Sequence, residues 1–426
     1  MTTNQDNRST PVEDAVRACA AAAKRASAAL VRASDESIDE ALRGMSRRLR
    51  TTRQTLVAAN EKDLAAAVAT GMSGALQDRL RLDDPRLEAM AAELLTLAEV
   101  PHEPRDRVVE ERPDGLTLLE RRRPVGVIGA NYEARPNVTL DVASQFLKSR
   151  NAGVLRTGSA ALRSAQALVD QVIAPALAEA GLDPDAVQLV PSEDRSAAYA
   201  LVRVPESIPL VILRGSGDST RDLGREAARN GVRTLSHADG GGVLYIGADA
   251  DEKTVHELIT DSLDRLGVCN RLNLLLIDQS AYEEWLPGVL RLLEGLGIAA
   301  SLPPHAHPLG YEWSLDPDRS ATVTIDAAAG PLHAARLANE ETSGLAAAVV
   351  TEDPAAATQF INAYAGAGVF WNSTTRLLDG VKLLRVPETG INLDRVPGPR
   401  GPVTFRDLYL RQHVVVPRGR LFGLPE

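Results

Sequence analysis

The apolar positions of SIDEALRGMSRRLRTTRQTLVAAN recur at intervals of three and four, the period of an amphipathic helix. Ser34 and Asp35 precede this run as candidate caps. LEAMAAELLTLAEV repeats the pattern, so residues 12–100 read as a helical region. The period then changes. RVVEERPDGLTLLERR, residues 107–122, has β-forming residues on both sides of Asp114-Gly115 and predicts a hairpin. From Pro124 on, short apolar runs alternate with helical stretches. RPVGVIGA, NAGVLRTG, VQLVP, PLVILRG and VLYIGAD read as strands. DVASQFLKSR and SAALRSAQALVDQVIAPALAEAG read as helices, the second stopped by Gly181. Such alternation implies a parallel α/β sheet. Residues 243–371 make a second α/β pass around Cys269, interrupted by a Pro-rich polar loop, PPHAHPLGYEWSLDPDRSA. RQHVVVPRG near the C-terminus reads as an edge strand.

A chain of 426 residues is long enough to split into two cores. No apolar run approaches the roughly 18 residues that span a bilayer. The start, MTTNQDNRST, is polar and reads as a disordered tail on a cytoplasmic protein. The net charge of −10 argues against nucleic acid as a partner, while leaving room for an anionic substrate held by local arginines. Neither a Gly-x-Gly-x-x-Gly fingerprint nor a P-loop occurs; GSGDST at 215–220 is a partial glycine-rich turn. The two cysteines, Cys19 and Cys269, form no disulfide framework or zinc-like cluster. Cys19 lies in an Ala-rich helical segment and reads as structural. Cys269, in LGVCNRLN, is the candidate nucleophile.

YEARPNVT at 132–139, between PVGVIGA and DVASQFLKSRNAGVLRTGSAA, is similar to the corresponding stretch of the γ-glutamyl phosphate reductases. AANEKDLAAA and LQDRLRLDDPRLEAMA resemble that family's N-terminal helices. SHADGG, GADADEKTVHELITDSLDRLGVCN, WNSTTRLLDG and GPRGPVTFRDLYL follow in the family's order, from about residue 35 to 418. LANEETSGLAAAVVTED is closer to general aldehyde dehydrogenases. The resemblance implies an aldehyde dehydrogenase-like fold, with two parallel-sheet α/β domains and a dimerisation hairpin. The expected division is a cofactor-binding domain over 12–240 that carries the hairpin at 107–122, and a catalytic domain over 241–390. A C-terminal segment, 391–426, would return to the oligomerisation region. The implied activity is NADPH-dependent reduction of L-glutamyl 5-phosphate to L-glutamate 5-semialdehyde in proline biosynthesis. The implied partners are this small acyl phosphate, a second copy of the chain and, as a candidate, a glutamate kinase.

A Cys thiolate is a strong nucleophile and phosphate a good leaving group, so Cys269 is expected to form a thioester that hydride then reduces. The oxyanion needs donors. The Cys269 backbone N–H is one, and the Asn137 amide is the other, because it carries no charge to perturb the thiolate. Arg135 offers a planar fork for the phosphate or the substrate carboxylate. Glu133 and Asn270 complete the expected substrate set. Hydrolytic aldehyde dehydrogenases carry a water-activating Glu before a Gly-Gly pair; here HADGGG places Ala238 in that slot, which protects a thioester from water. His237 and Asp239 resemble the family and have either a functional or a structural part.

For the cofactor, VLRTGSAA at 154–161 resembles the superfamily's adenosine-ribose strand and turn, with Arg156, Gly158 and Ser159 as expected contacts. Ala160 stands where the family has a Glu that would repel a 2′-phosphate, which favours NADPH. Arg214, Gly215 and Ser216 are expected near the pyrophosphate at a helix N-terminus. Glu388 survives from the family's Gly-Leu-Gly-Ala-Glu run, which reads LRVPE here. Ser262, Leu263 and Asp264 replace Lys-Thr-Gln, Asn273 replaces Glu, and Leu345 replaces His. Two alternatives therefore stay open: a reductase of another acyl phosphate or thioester, and a degraded paralogue acting as an interaction subunit.

Overall fold

The computed structural model describes residues 9–133, 135–215, 217–237, 240–316, 318–395 and 398–420. The chain forms two compact units. The first takes the chain as far as Ser236, then Val386–Gly390 and the stretch from Val403 on; the second holds His237–Arg385 and Ile391–Pro402. The expected C-terminal segment is therefore shared: of its described residues, those up to Pro402 group with the second unit and 403–420 with the first.

In the first unit, α1 (Pro11–Leu30), α2 (Asp35–Thr51), α3 (Arg53–Ala69), α4 (Gly74–Leu80) and α5 (Asp84–Glu99) occupy the region read as helical. The Ser34 side chain accepts the Ser37 N–H and caps α2. Ile38, Ala41, Leu42, Met45 and Leu49 form its buried stripe. β1 (Asp106–Glu111) and β2 (Leu116–Pro124) pair antiparallel, with Gly115 at φ 81° supplying the turn. The C-terminal strand β16 (Tyr409–Pro417) adds to β2, so the hairpin becomes a three-stranded sheet with β1 and β16 at its edges.

The unit's main sheet contains β3 (Val127–Tyr132), β4 (Ala152–Thr157), β5 (Val187–Leu189), β6 (Leu210–Arg214) and β7 (Arg233–His237), in the order β5-β4-β3-β6-β7. Every residue of β3 and β4 is buried, as in parallel strands covered on both faces. The chain moves outward from β3 through β4 to β5, then crosses to the far side of β3 for β6. Parallel sheets bind dinucleotides beyond the carboxyl ends of their strands at such a reversal.

The long helix expected after β4 differs from expectation. It runs as a 3₁₀ turn, α-helix, a π turn at Val169–Ile173 and a second α-helix. Pro175 has no N–H to return to Gln171, and the Arg48 guanidinium donates to that Gln171 carbonyl instead, at 3.2 Å.

The second unit has a six-stranded sheet of β8 (Gly242–Ile246), β9 (Leu272–Asp278), β10 (Ala299–Ser301), β11 (Thr322–Ala328), β12 (Ala346–Val350) and β13 (Gly368–Trp371). Its order is β10-β11-β9-β8-β12-β13, parallel throughout. The short strands β14 (Gly390–Asn392) and β15 (Gly401–Val403) pair where the chain passes between the units. The two parallel-sheet bodies and the hairpin match the fold class read from the sequence. Among the described residues, no helix is long and apolar enough to cross a membrane.

Candidate active site

Cys269 lies on the loop between the helix Glu252–Ser262 and β9, half-buried against an apolar cluster of Leu345, Ala346, Leu378 and Ile391. A glycine wall supports this loop from the amino end of β8. A Cβ on Gly240 would lie 2.6 Å from the Cys269 carbonyl oxygen, 2.7 Å from its Cα and 2.5 Å from Glu312 Oε1. A Cβ on Gly242 would lie 2.6 Å from the Arg271 carbonyl oxygen. The backbones therefore touch: Gly241 N–H donates to the Cys269 carbonyl at 2.6 Å and Gly242 N–H to that of Arg271 at 2.7 Å. Only glycine permits this approach.

The segment WNSTTRLL grips the loop from the other side. Thr375 Oγ1 donates to the Asn270 carbonyl at 2.9 Å. Asn270 Nδ2 donates to the Leu378 carbonyl at 3.1 Å, and Arg376 Nη1 donates to Asn270 Oδ1. Asn270 is buried and its amide is engaged at both ends, so this side chain anchors the nucleophile loop from within. Arg376 also donates to Asp264 at 2.7 Å. Burial opposes ionisation of Asp264, and the Arg376 bond and charge override it, holding the carboxyl below its ordinary range.

The positions that depart from the family pattern are knit into this framework. Ser262 bonds Thr374 at 2.8 Å, and Leu345 is a wall of the apolar cluster beside Cys269. Asn273 Nδ2 donates to the Tyr311 carbonyl at 2.6 Å, and its Oδ1 accepts the Trp313 N–H at 3.1 Å. That clamp brackets Glu312, whose Oε1 accepts Ser314 Oγ–H at 2.6 Å. Arg271 is fully buried, donating to the carbonyls of Leu272, Ser320 and Thr322. Burial pushes its guanidinium down to about 10, against the attraction of Glu312. Glu312 and Arg376 were missed in the sequence. The sequence reading gave neither a role, and only folding brings each to the cysteine's loop.

The remaining site residues belong to the first unit. Glu133 and Arg135 follow β3 and are exposed. The Glu133 N–H donates to the Arg214 carbonyl at 3.2 Å, and a Cβ on Gly215 would lie 3.1 Å from Glu133 Oε1. Arg214 ends β6, and its side chain packs over Gly390. Glu133, Arg135, Arg214 and Gly215 thus share the carboxyl ends of β3 and β6, at the sheet's reversal. Asn137 opens the helix α6 (Asn137–Lys148) and donates to Asp141 Oδ2 at 3.1 Å. Burial, with Glu93 and Glu388 nearby, pushes the Asp141 carboxyl up to about 7, against Arg214 and Asn137. Glu388 thus lies in the electrostatic surroundings of Asp141.

Gly158 and the exposed Ser159 follow β4, and Ala160 packs against the apolar cluster Ala67, Leu80 and Ala161. Arg156 is buried and donates to Asn131 Oδ1 at 3.3 Å and the Asp194 carbonyl at 3.2 Å. Burial, then the charge of Arg195, holds its guanidinium below the ordinary value. Arg195, on an exposed loop, is a second cation the sequence did not suggest. Ser216, Ala238 and Asp239 lie outside the described residues. Among the described residues, no cluster of three His, Cys, Asp or Glu side chains is arranged to hold a metal.

The aldehyde dehydrogenase family pattern matches residues 4–306. The γ-glutamyl phosphate reductase of Gluconobacter oxydans is 36% identical over 417 residues, covering 94% of this chain and 95% of that one. The Zymomonas mobilis enzyme of the same name is 34% identical, covering 96% of each. The crystal structure of γ-glutamyl phosphate reductase from Thermotoga maritima superimposes with a TM-score of 0.87 at 27% identity, over 97% of this chain and all of that one. An acetylating aldehyde dehydrogenase from Geobacillus thermoglucosidasius, at 15% identity and a TM-score of 0.68, shares the fold. Family pattern, relatives and architecture agree, and the chain belongs to the γ-glutamyl phosphate reductases of the aldehyde dehydrogenase family.

Proposed function

We propose that this protein reduces L-glutamyl 5-phosphate to L-glutamate 5-semialdehyde, a step of proline biosynthesis, with Cys269 as covalent nucleophile. The observation that carries the reading is the nucleophile loop: a half-buried cysteine fixed by glycine backbone on one side and by Thr375 and Arg376 on the other, in a chain whose named relatives align over nearly its full length. The Cys269 sulfur attacks the acyl carbon, the carbon–oxygen bond to phosphate breaks, and phosphate leaves with that electron pair. Asn137 and the Cys269 N–H serve as donors to the oxyanion. Arg135 receives the phosphate or the substrate carboxylate, and Glu133 shares its segment. Asn270 supports the reaction by holding the loop. A nicotinamide cofactor, which the family's fold implies, supplies the hydride when bound. Cys269 keeps the acyl group as a thioester until then, and leaves as the thiolate when the aldehyde forms.

The residues at the sheet reversal suit a dinucleotide. Arg214 and Gly215 lie at the carboxyl end of β6, where the Glu133 side chain packs against Gly215, and Gly158 and Ser159 follow β4. Ser216 and Glu388 complete the proposed set. Ala160 places no carboxylate where a 2′-phosphate would meet it, which supports NADPH. Arg156 is turned to Asn131 and Asp194, so the exposed Arg195 is the better placed cation for that phosphate.

The departures from the family pattern replace contacts within the loop's scaffold and leave Cys269 in place, which favours an enzyme over a degraded interaction subunit. The test runs the reaction backwards, because glutamyl phosphate is labile. The semialdehyde's amine reaches its own carbonyl, so it closes to pyrroline-5-carboxylate without help. NADPH formation from pyrroline-5-carboxylate and NADP should require phosphate. A folded, NADPH-binding protein that gives no turnover would overturn the reading in favour of another acyl substrate.

A further inference from the structure

We infer that Asp141 is a positioning residue that orients the Asn137 amide as a donor and releases it when the carboxyl gains a proton. The inference deepens the proposed function, since it rests on Asn137 as an oxyanion donor. Its geometry lies wholly within the first unit.

Asn137 and Asp141 are one turn apart on α6, joined by the bond from Asn137 Nδ2 to Asp141 Oδ2 at 3.1 Å. The two ends of an Asn amide have nearly the same shape, so the hydrogen-bond partner decides which way it points. An ionised carboxylate only accepts, and therefore holds the NH₂ toward itself. One N–H is then spent on Asp141, and the second remains to meet an oxyanion. A protonated carboxyl also donates. Its O–H satisfies the Asn137 carbonyl oxygen equally well, and the amide is then free to turn over, taking the second N–H with it.

The surroundings place this change near neutrality. Asp141 adjoins a small void of about 10 Å³ that Met90, Glu93, Leu94, Leu140, Ser144 and Pro387 also line. Burial disfavours the carboxylate most, and Glu93 on α5 and Glu388 on the segment Val386–Gly390 add like charge. Arg214 at the end of β6 and Asn137 on the same helix favour it. The Tyr132 hydroxyl of β3, bonded to Thr139 at 2.8 Å, also feels the Asp141 charge. An ordinary aspartate is fully ionised at neutral pH, whereas this one, at about 7, is divided between its two forms. This balance gives the first unit a proton-sensitive latch next to the proposed oxyanion donor.

Two measurements test the inference, one needing turnover and one not. The pH profile of kcat/KM should contain a limb with a midpoint near 7, falling up to about ten-fold between about pH 8 and pH 6, separate from the thiol's own limb. In Asp141→Asn, whose amide both donates and accepts at every pH, that limb should vanish while the thiol limb stays. An unchanged limb in the variant overturns the inference. In protein labelled with ¹⁵N at asparagine, the Asn137 side-chain resonance, identified by its loss in Asn137→Ser, should shift with the same midpoint. A resonance that does not move over this range overturns the inference even in an active enzyme. A resonance that titrates in a protein without turnover upholds the Asn137–Asp141 latch and removes the proposed substrate.

Discussion

Cys269 and Cys19 differ in setting more than in chemistry, and that difference sets their expected behaviour. Cys19 sits on the buried face of α1 with its thiol directed at the Leu189 carbonyl, and burial pushes its pKa up. Cys269 is half-buried on a loop. Alkylation of the native protein should modify one thiol, at Cys269, and stop activity. Cys269→Ala should remove essentially all turnover while leaving the fold intact, and retention of more than a few per cent would rule out covalent catalysis. Cys19→Ala should keep activity, with a small loss of melting temperature from lost packing. Asp141 permits a stability prediction of definite sign. Its folded-state pKa of about 7 lies above the unfolded value, so the folded state holds the extra proton between about pH 4 and pH 7, and the stability tied to that proton is lost across this window. The melting temperature of Asp141→Asn relative to wild type should therefore rise from about pH 5 to pH 7 and level off above. A constant difference across that range would show that Asp141 ionises normally.

The nucleophile loop explains why some of the site could be read from the sequence and some could not. GVCN announced the cysteine, whereas HADGGG was read for the carboxylate missing at Ala238 and left the purpose of its glycines unstated. The purpose is close approach: Gly240 and Gly242 let β8 press its backbone on that of residues 269–271. Gly240→Ala should displace Cys269 and Glu312 together and lower kcat/KM by about 100-fold or more, because small misplacements of a reacting group are costly. A variant with intact kinetics would mean that the loop is soft. The sequence reading placed Asn270 with the substrate, yet its amide is turned inward to Arg376 and Leu378, residues more than a hundred positions away. No local pattern carries such a pairing. The same holds for Asn273, which clamps the backbone on both sides of Glu312. The helix after β4 shows the converse. Its period was plain, but the π turn at Val169–Ile173 depends on Pro175 and on Arg48 reaching Gln171 from another helix.

At the scale of the whole molecule, alternating strands and helices made both parallel sheets legible, because a strand buried on both faces is apolar over most of its length. The order of those strands was not legible; it depends on crossings the sequence does not mark. The hairpin was legible from its turn, and the family resemblance brought the C-terminal segment back to the same region; the register in which β16 pairs with β2, some three hundred residues away, shows only in the fold. Much of that three-stranded sheet is exposed. Of β1 only Asp106 is buried, and Val108, Val109, Leu410 and Val415 are each 41–54% exposed. A sheet of this size buries little of either face, and its edges β1 and β16 carry backbone groups that other chains can pair with. A second copy of the chain would satisfy both needs, and dimerisation through this sheet is the arrangement we expect. Deleting residues 108–121 should give monomers or aggregates. A gentler variant keeps the sheet: Leu410→Lys with Val415→Lys places charge on the exposed faces of β16 without touching the core. Light scattering should then report a folded monomer with an unchanged circular dichroism spectrum. If both variants remain dimeric, the copies meet elsewhere and the exposed valines and leucine of this sheet lie outside the contact.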